Sequence, residues 1–498
     1  MSNSAIALTV IFSIVLVSSF FGFYSGSKQK MSLEQWTVGN RNFGVILMWL
    51  LMAGEIYTTF AFLGASGWAY SRGGPTLYII GYMVLAYVVS FYILPQLWEV
   101  GRKYGMQTQS DFFEKRYGSK RLAAIVSLIG VIFIIPYLQL QLTGLGIIME
   151  VASFGGISRT IAMLISFALV AGFVYTSGIR AVASISVIKD ILMLFAAVFL
   201  GIGLPYMYFG GLGEMFTAVV QAKPEHLIMP GSTKVMGHSW YISTVLLTSL
   251  GFYMWPHIVG ASFTAKSADT LRRNAVIMPI YTITMPLIFF VGFTAILVIP
   301  GLQNGDLALL TIVQKSYPAW MLGLIGAAGA LTAMVPAAIL ILASATLFAK
   351  NFYRPMIKPD MSDDQVASLA KKMVIVITLI SLYFAIFSSS TLVSLLLLGY
   401  AGITQFFPGM VFGLYWPRAN MTGVLAGIVT GISIVAYLVL NKLDPVMGIN
   451  AGFFALCVNT VITVIISLIT VGQTNGFDDN SIKEGSVTTW PTMRSKQQ

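Results

Sequence analysis

Four ionisable side chains fall inside long apolar runs of the sequence, where a lipid-embedded chain rarely carries charge: Glu55, Lys189, Asp190 and His257. A charged side chain at the centre of a bilayer costs about 2.5–3.5 kcal/mol on insertion scales, so it needs a partner or a water-lined cavity. Residues of these types offer binding of ions, protons or polar solutes. The alternative for each is a structural role as a buried, hydrogen-bonded group between packed helices.

Glu55 follows Gly54 in the middle of an apolar run over 43–70, which is long enough to span a bilayer. Glycine gives the backbone freedom to leave the helix there. Unwound carbonyls within a protected cavity are typical ligands in transporters with broken helices. The pattern therefore predicts a discontinuous transmembrane helix at a solute site.

Lys189 lies about ten residues inside the apolar run 179–208, and hence about 15 Å deep at the rise of an α-helix. Snorkelling does not easily reach water from that depth. Lys189 is therefore either neutral or paired with Glu55 or Asp190, and adjacent residues point about 100° apart on a helix. We interpret it as a titrating or ion-mimicking ammonium that couples proton movement to transport, with a static ion pair as the alternative.

Two prolines mark further helix irregularities beside polar side chains. Pro256 precedes His257, and the kink that this proline causes frees backbone carbonyls. The His257 imidazole would either bind a substrate carboxylate or cap those carbonyls. Pro136 precedes Tyr137 and Gln141, which are four residues apart and share a helix face. Gln141 is a candidate ligand or an interhelical hydrogen-bonding group.

The motifs of several enzyme classes are missing from the sequence. There is no nucleophile–His–carboxylate set that the loops would assemble, no GxxxxGK[ST] and no His/Cys metal spacing. A single cysteine, Cys457, excludes an intrachain disulfide. We expect no enzymatic activity, no organic cofactor and no certain metal site, so uphill transport would use an ion gradient or the membrane potential.

These side chains must be positioned by membrane-spanning helices. The 498 residues are 57% hydrophobic and only 9% charged, and apolar runs of about 20 residues recur along the chain. The composition predicts an all-α polytopic membrane protein with about 13 spans. They lie near 4–24, 43–70, 76–98, 121–149, 158–177, 179–208, 240–263, 274–299, 319–349, 367–388, 390–415, 419–440 and 448–471.

Basic residues are distributed unequally between the two sides of these spans. With the N-terminus outside, 22 of the 29 Lys and Arg residues fall inside, 6 outside, and Lys189 within the membrane. The positive-inside rule then predicts a plasma-membrane protein with an outer N-terminus and a cytoplasmic C-terminus. The same bias explains the net charge of +11 without a nucleic-acid partner, so the expected partners are a small solute and membrane lipid.

The predicted loops are too short for a soluble catalytic domain. The longest outer loop, about 210–239, carries His226 and His238 and is expected to cap the outer face. The inner stretch 107–121 is typical of an amphipathic surface helix. The polar segment 472–498 is predicted to be a disordered cytoplasmic tail.

Interruptions at Gly54–Glu55 and at 251–257 fall in the second and seventh spans, five spans apart. Matching breaks in two five-helix units indicate inverted repeats with a site at the bilayer midplane. We therefore predict one transporter domain over 1–471, with repeats near 43–208 and 240–415 and extra helices at 4–24, 419–440 and 448–471.

Three motifs, VGNR at 38–41, TQSDFFEKRYG at 108–118 and YTSGIRAV at 175–182, resemble the sodium:solute symporter family. The resemblance covers roughly 1–471 and implies the leucine-transporter-like 5+5 inverted-repeat fold. Five further motifs are most similar to the bacterial monocarboxylate permease branch: GEIYT at 54–58, IKD at 188–190, WPH at 255–257, KSADTLRRN at 266–274 and VPAA at 335–338. That resemblance implies import of pyruvate, lactate, acetate or propionate, sometimes alanine.

The resemblance also implies where a coupling ion would bind. Sodium-driven members use carbonyls at the second-span break, here Gly54 and Tyr57, and hydroxyls on the ninth span. This chain keeps Thr332 but has Val and Pro at the next two such positions, 335 and 336, which lack hydroxyls. The usual acidic position of the sixth span falls on Ser186, and Lys189 replaces a common Gln. Related sodium-independent transporters place a lysine ammonium at the ion position, which favours H⁺ over Na⁺ here.

Together these observations predict a symporter that works by alternating access. Its solute would lie between the two breaks, with its carboxylate attracted to half-helix N-termini. The alternatives are a sodium-driven proline-type amino-acid symporter and, as a minor one, a membrane sensor. The expected solute ligands are Thr58, Thr59, Tyr137, Gln141, Tyr253 and His257, and the expected ion-coupling residues are Gly54, Glu55, Tyr57, Ser186, Lys189, Asp190 and Thr332.

Overall fold

The computed structural model describes residues 1–26, 41–176, 179–233, 235–388 and 390–470. Within these ranges the fold is helical, and its only β-type pairings are two isolated bridges. The predicted tail and much of the motif at 38–41 lie outside the described residues. The helices at the thirteen predicted spans, numbered below in this order, are Asn3–Gly26, Val45–Ile56 with Phe60–Ser71, Gly74–Lys103, Lys120–Ala152, Arg159–Thr176, Ile179–Phe209, His238–Met254 with Pro256–Ser262, Ala268–Val298, Ala319–Met356, Asp363–Phe387, Leu392–Tyr415, Met421–Leu440 and Ala451–Ile469.

Ten of these helices in the described chain are long and apolar enough to cross a membrane, or up to twelve if each bent pair counts as one span. In the fifth, the described apolar part is Arg159–Gly172, which is shorter. The number thirteen therefore stays a prediction, whereas the polytopic helical class is confirmed.

The two bent pairs are the second and seventh spans, as the interruptions in the sequence predict. Val45–Ile56 and Phe60–Ser71 meet at 56°, and His238–Met254 and Pro256–Ser262 at 52°. In the seventh span, Pro256 is the first residue of the new helix, where its missing N–H leaves no hydrogen bond unmade. The preceding Trp255 has an extended backbone, which produces the bend.

Burial separates central spans from peripheral ones. In the most apolar stretch of the ninth span 94% of the residues are buried, against 22% for the first span and 33% for the thirteenth. Every residue of Phe60–Tyr70 is buried as well. The ninth span and the outer half of the second span are therefore enclosed by protein, and the terminal spans present apolar side chains outward.

Short helices close the two ends of the bundle. Gln109–Tyr117 begins with a capping box between Thr108 and Asp111. Its aromatic residues Phe112 and Phe113 are fully buried, so it packs into the protein more deeply than the surface helix predicted over 107–121. We call this the inner end, following the predicted topology. Leu212–Ala222 and Ala308–Ser316 lie in the loops of the opposite, outer end.

Candidate functional site

The backbone leaves the helix at Tyr57, three residues after Gly54. Tyr57 has φ −91° and ψ 84°, and Phe60–Gly64 resumes as a π-helical turn. The N–H of Thr58 donates to the Ile56 carbonyl at 3.2 Å instead of to Gly54, four residues earlier. The Gly54 carbonyl is therefore free to accept from another element.

Lys189 fills that position. Its Nζ lies 3.0 Å from the Gly54 carbonyl oxygen, 3.3 Å from that of Tyr57 and 3.0 Å from Asp190 Oδ1. An ammonium has three donors, and these three acceptors match them. The side chain is fully buried, and of the two partners left open by the sequence, Asp190 is the one in contact.

Asp190 connects the lysine to the eighth span. Its Oδ1 also accepts from the Tyr281 hydroxyl at 3.1 Å, and the Tyr281 ring packs edge-on against Tyr57 at 4.2 Å between centroids. The Tyr57 hydroxyl donates to the Tyr281 carbonyl and accepts from Thr284 at 2.7 Å. Sequence reasoning missed Tyr281 and Thr284, because single hydroxyl groups are ordinary in a membrane span and only the fold brings these two to Asp190 and Tyr57.

Glu55 and His257 join the two broken helices. Glu55 Oε2 lies 3.2 Å from His257 Nε2, and both side chains are buried. The contact lacks hydrogen-bond geometry, and Glu55 Oε1 and His257 Nδ1 also have no hydrogen-bond partner in the described structure. A buried polar atom left unpaired costs about 1–3 kcal/mol. These atoms are thus available to a solute, water or proton.

Three other predicted ligands lie around this pair. The Tyr137 hydroxyl donates to the Glu55 carbonyl at 3.3 Å, and its ring lies 5.7 Å from the His257 ring. Thr59 Oγ1 donates to Gln141 Oε1 at 2.7 Å, which leaves the Gln141 amide Nε2 buried without a partner. Tyr137 and Gln141 therefore both lie beside the break, on the helix face that their spacing predicts them to share.

The remaining predicted residues lie at different distances from this centre. Thr58 is buried within the break, where its hydroxyl accepts from the Phe60 N–H at 3.2 Å. Ser186 is close to Gly54, but its hydroxyl donates to its own helix at Val182. Thr332 likewise donates to Gly329 at 2.7 Å.

Tyr253 points in another direction. It packs against Phe252 at 4.8 Å between ring centroids, and its hydroxyl lies beside Ser90 of the third span. No hydrogen bond or ring contact joins Tyr253 to Glu55, Gln141 or His257 within the described residues. Its role as a solute ligand stays a prediction.

A cavity of about 30 Å³ connects His257 with the inner end, and it is large enough for water. The polar residues Gln107 and Thr108 border it on one side and His257 on the other. The cavity therefore lies between the imidazole and polar residues of the inner end. The cavity is lined by Gln107, Thr108, Pro256, His257, Gly260, Ala261, Ile339, Leu342, Ala343, Thr346 and Leu347.

An ion pair joins two helices at the inner end, beside this cavity. Lys350 Nζ lies 2.7 Å from Asp111 Oδ2, and Asn351 donates to Asp111 Oδ1 at 2.8 Å. Burial opposes ionisation of Asp111, but the Lys350 ammonium and the hydrogen bonds outweigh it and hold the pKa of that carboxyl below its usual value. The pair therefore ties the helix Gln109–Tyr117 to the ninth span at neutral pH.

Comparison with known proteins identifies this architecture. A profile of the sodium:solute symporter family matches residues 36–431. The chain belongs to the sodium:solute symporter family. Like its relatives, it is a membrane symporter and not an enzyme, as predicted.

Individual relatives cover almost the whole chain. The uncharacterized symporter YhjB of Bacillus subtilis is 45% identical over 479 residues, covering 93% of this chain and 97% of its own. A monocarboxylate transport permease protein of Rhizobium johnstonii is 29% identical over 483 residues, with the same coverage. A sodium/proline symporter of Staphylococcus saprophyticus is 24% identical over 478 residues, covering 91% of each chain.

Among solved structures, a substrate-bound, outward-open Na⁺-coupled sialic acid symporter matches 94% of this chain and 98% of its own, with a TM-score of 0.78. Its sequence identity is 20%, so the likeness concerns the fold. The predicted leucine-transporter-like class is thereby confirmed.

Proposed function

We propose that this symporter imports a small monocarboxylate, such as pyruvate, lactate, acetate or propionate, together with H⁺. The observation that carries the coupling proposal is the Lys189 ammonium on the carbonyls of Gly54 and Tyr57. A fixed cation there excludes a second cation by repulsion and desolvation. Proton transfer between Lys189 and its surroundings is then the available coupling step.

Asp190 and the two carbonyls would determine when Lys189 holds its proton. An ionised Asp190 stabilises the charged lysine at 3.0 Å, and the Tyr281 hydroxyl supports the carboxylate. When the break rearranges during alternating access, the two carbonyls move away from the ammonium and its charged form loses stabilisation. Lys189 would bind a proton in one arrangement and release it in the other.

The solute would bind beside the second break. The Gln141 amide and the His257 Nδ1 are unpartnered polar atoms in the described structure, and a carboxylate accepts from such donors. Tyr137 and Trp255, 5.0 Å apart between ring centroids, would border the small apolar part of the solute. The monocarboxylate class is supported by the Rhizobium permease, which is 29% identical.

The two repeats, near 43–208 and 240–415, would rearrange around this site, with the N-terminus outside and the C-terminus in the cytoplasm. The second candidate function is a sodium-driven amino-acid symporter of the proline type, and it is supported by the 24% identical sodium/proline relative.

Uptake into proteoliposomes tests both candidates, with pH and Na⁺ gradients imposed separately. We expect labelled pyruvate to accumulate when the outside is acid and Na⁺ is absent, and unlabelled lactate or propionate to compete. The control gradient is Na⁺ alone at equal pH. Accumulation that requires this Na⁺ gradient and is competed by proline, but not by lactate, would support the second candidate instead.

A further inference from the structure

A buried acidic residue lies at the outer end, far along the chain from both breaks. Asp306 is on the short helix Gly305–Leu307 that connects the eighth and ninth spans, and it is 2% exposed. Its Oδ2 accepts from the backbone N–H of Leu392 at 3.0 Å, whereas Oδ1 has no partner among the described residues. One hydrogen bond does not replace the hydration of a carboxylate, so burial in this form is costly.

Three elements meet at Asp306. A Cβ atom placed on Gly67 would lie 2.8 Å from Asp306 Oδ1, so the outer half of the second span is in direct contact with the carboxyl. Leu392 begins the eleventh span. Leu392 also packs against Gly64 of the second span. A Cβ atom added to Gly64 would lie 3.2 Å from Leu392 and 3.3 Å from Val393. Asp306 thus joins the second span, the eleventh span and an outer loop.

These contacts lie between the break and the outer end of the second span. The break at Tyr57 lies at the inner end of Phe60–Ser71, and the residues of that helix are buried as far as Tyr70. A solute that enters from outside must pass along this helix, so its contact with Leu392 and Val393 has to open. Opening would expose the Asp306 carboxyl to water.

The charged surroundings of Asp306 are sparse. Arg159 attracts its carboxylate, and burial outweighs that attraction. His226 packs on the outer half of the second span, where its Nε2 lies 2.8 Å from the Ala69 carbonyl oxygen. Burial lowers the pKa of this imidazole. The other ionisable groups on the elements packed around Asp306 are Arg72, Glu150 and Lys315, the last of which donates to the Val298 carbonyl.

We propose that Asp306 is a second proton-binding site of this symporter, and that the outer end closes on the protonated carboxyl and opens on the ionised one. This inference rests on the proposed alternating-access transport, but not on the identity of the solute. It makes closure of the outer end, after solute entry, a step that takes up a proton from outside.

The acidity of the buried group agrees with this direction. Burial raises the pKa of Asp306 from 3.8 to about 7 in the closed arrangement, whereas a hydrated carboxyl in the open arrangement would titrate near 3.8. A proton therefore stabilises the closed arrangement. The closed-to-open ratio is lowest above pH 7 and rises about tenfold between pH 8 and pH 6, by linkage.

Thiol accessibility measures this equilibrium without solute. The test protein carries Cys457→Ala and Val393→Cys, which places the reporter thiol in the contact with Gly64. A membrane-impermeant methanethiosulfonate reagent is added outside, and the modification rate is measured from pH 8 to pH 6. A matched protein with Ser390→Cys, at an exposed outer position, corrects for the pH dependence of the thiol chemistry itself.

We expect the corrected rate at Val393→Cys to fall about tenfold from pH 8 to pH 6, because the closed arrangement shields the thiol. Asp306→Asn should abolish this pH dependence. Leu392→Pro removes the N–H that favours the ionised carboxyl, at a first helical position where proline is tolerated, and should move the midpoint to higher pH.

A corrected rate that does not change with pH while Asp306 is intact would overturn the proposal, as would an unchanged pH response in Asp306→Asn. The pH dependence of the Val393→Cys rate is measured with Asp306 intact, so this part of the test does not depend on whether Asp306→Asn folds. Because the assay contains no transported solute, a negative pyruvate result and a negative Asp306 result remain distinguishable.

Discussion

At the scale of single residues, the function depends on how buried charges are compensated. Lys189 has three acceptors within 3.3 Å, so its charge is locally satisfied. Glu55, Gln141 and His257 instead keep polar atoms unpaired in the described structure. A buried charge with a full set of partners suits a coupling group, and unpaired polar atoms suit a site that receives a ligand.

The variant Lys189→Gln should separate coupling from solute binding. Glutamine retains a donor for one carbonyl but leaves Asp190 without its cation. We expect pyruvate accumulation under a pH gradient to fall at least about tenfold, because the glutamine amide cannot bind and release the coupled proton. Exchange of labelled for unlabelled pyruvate at equal pH should persist.

The control for Lys189→Gln is Lys358→Gln, at an exposed inner position, which should leave both assays unchanged. Loss of exchange together with accumulation would indicate a structural role for Lys189. Accumulation that keeps the pH dependence of the unaltered protein would remove Lys189 from the coupling mechanism.

At the scale of elements, the break in the second span is held by close packing against the fourth span. A Cβ atom on Gly144 would lie 2.6 Å from Thr59 Cγ2 and 2.7 Å from Thr59 Cβ. Gln141, one helical turn earlier, accepts the Thr59 hydroxyl. The glycine therefore lets the fourth span approach the break closely enough for Gln141 to reach it.

We expect Gly144→Ala to push Thr59 away from Gln141 and to lower the apparent affinity for pyruvate. Overpacking of this kind costs about 1–3 kcal/mol, or roughly 5- to 150-fold in an equilibrium constant. Concentration-dependent uptake measures the effect. Gly213→Ala is the matched control, since no atom lies within 4 Å of its added Cβ, and equal affinities for the two variants would contradict this packing role.

At the scale of the whole molecule, the two ends of the bundle are closed by different chemistry. The inner end has the ion pair between Asp111 and Lys350 beside a small cavity that reaches His257. The outer end has Asp306, whose carboxyl has no opposite charge in direct contact among the described residues. In the proposed transport cycle, inner closure would be favoured when Asp111 is ionised, and outer closure when Asp306 is protonated.

The orientation of the whole chain is a separate prediction. In the Cys457→Ala background, Lys223→Cys should react with an impermeant thiol reagent added outside intact cells, and Lys358→Cys only after permeabilisation. Both positions are exposed, and the excess of inner Lys and Arg predicts this arrangement. Labelling of Lys358→Cys in intact cells would reverse the inner and outer assignments.

The sequence by itself determined the helical class, the approximate span bounds and the two breaks. Each depends on a local property: apolar length, glycine freedom or a proline without an N–H. It also singled out Glu55, Lys189 and His257, because ionisable groups in apolar runs are conspicuous without any structure.

Only the tertiary structure decided which of these groups are partners. Lys189 contacts its neighbour Asp190 rather than Glu55, because the crossing of the spans places Glu55 beside His257 of the seventh span. Tyr281 and Asp306 were missed for the same reason. A tyrosine in a span or an aspartate in a loop is ordinary in sequence, and becomes notable only when folding buries it against another element.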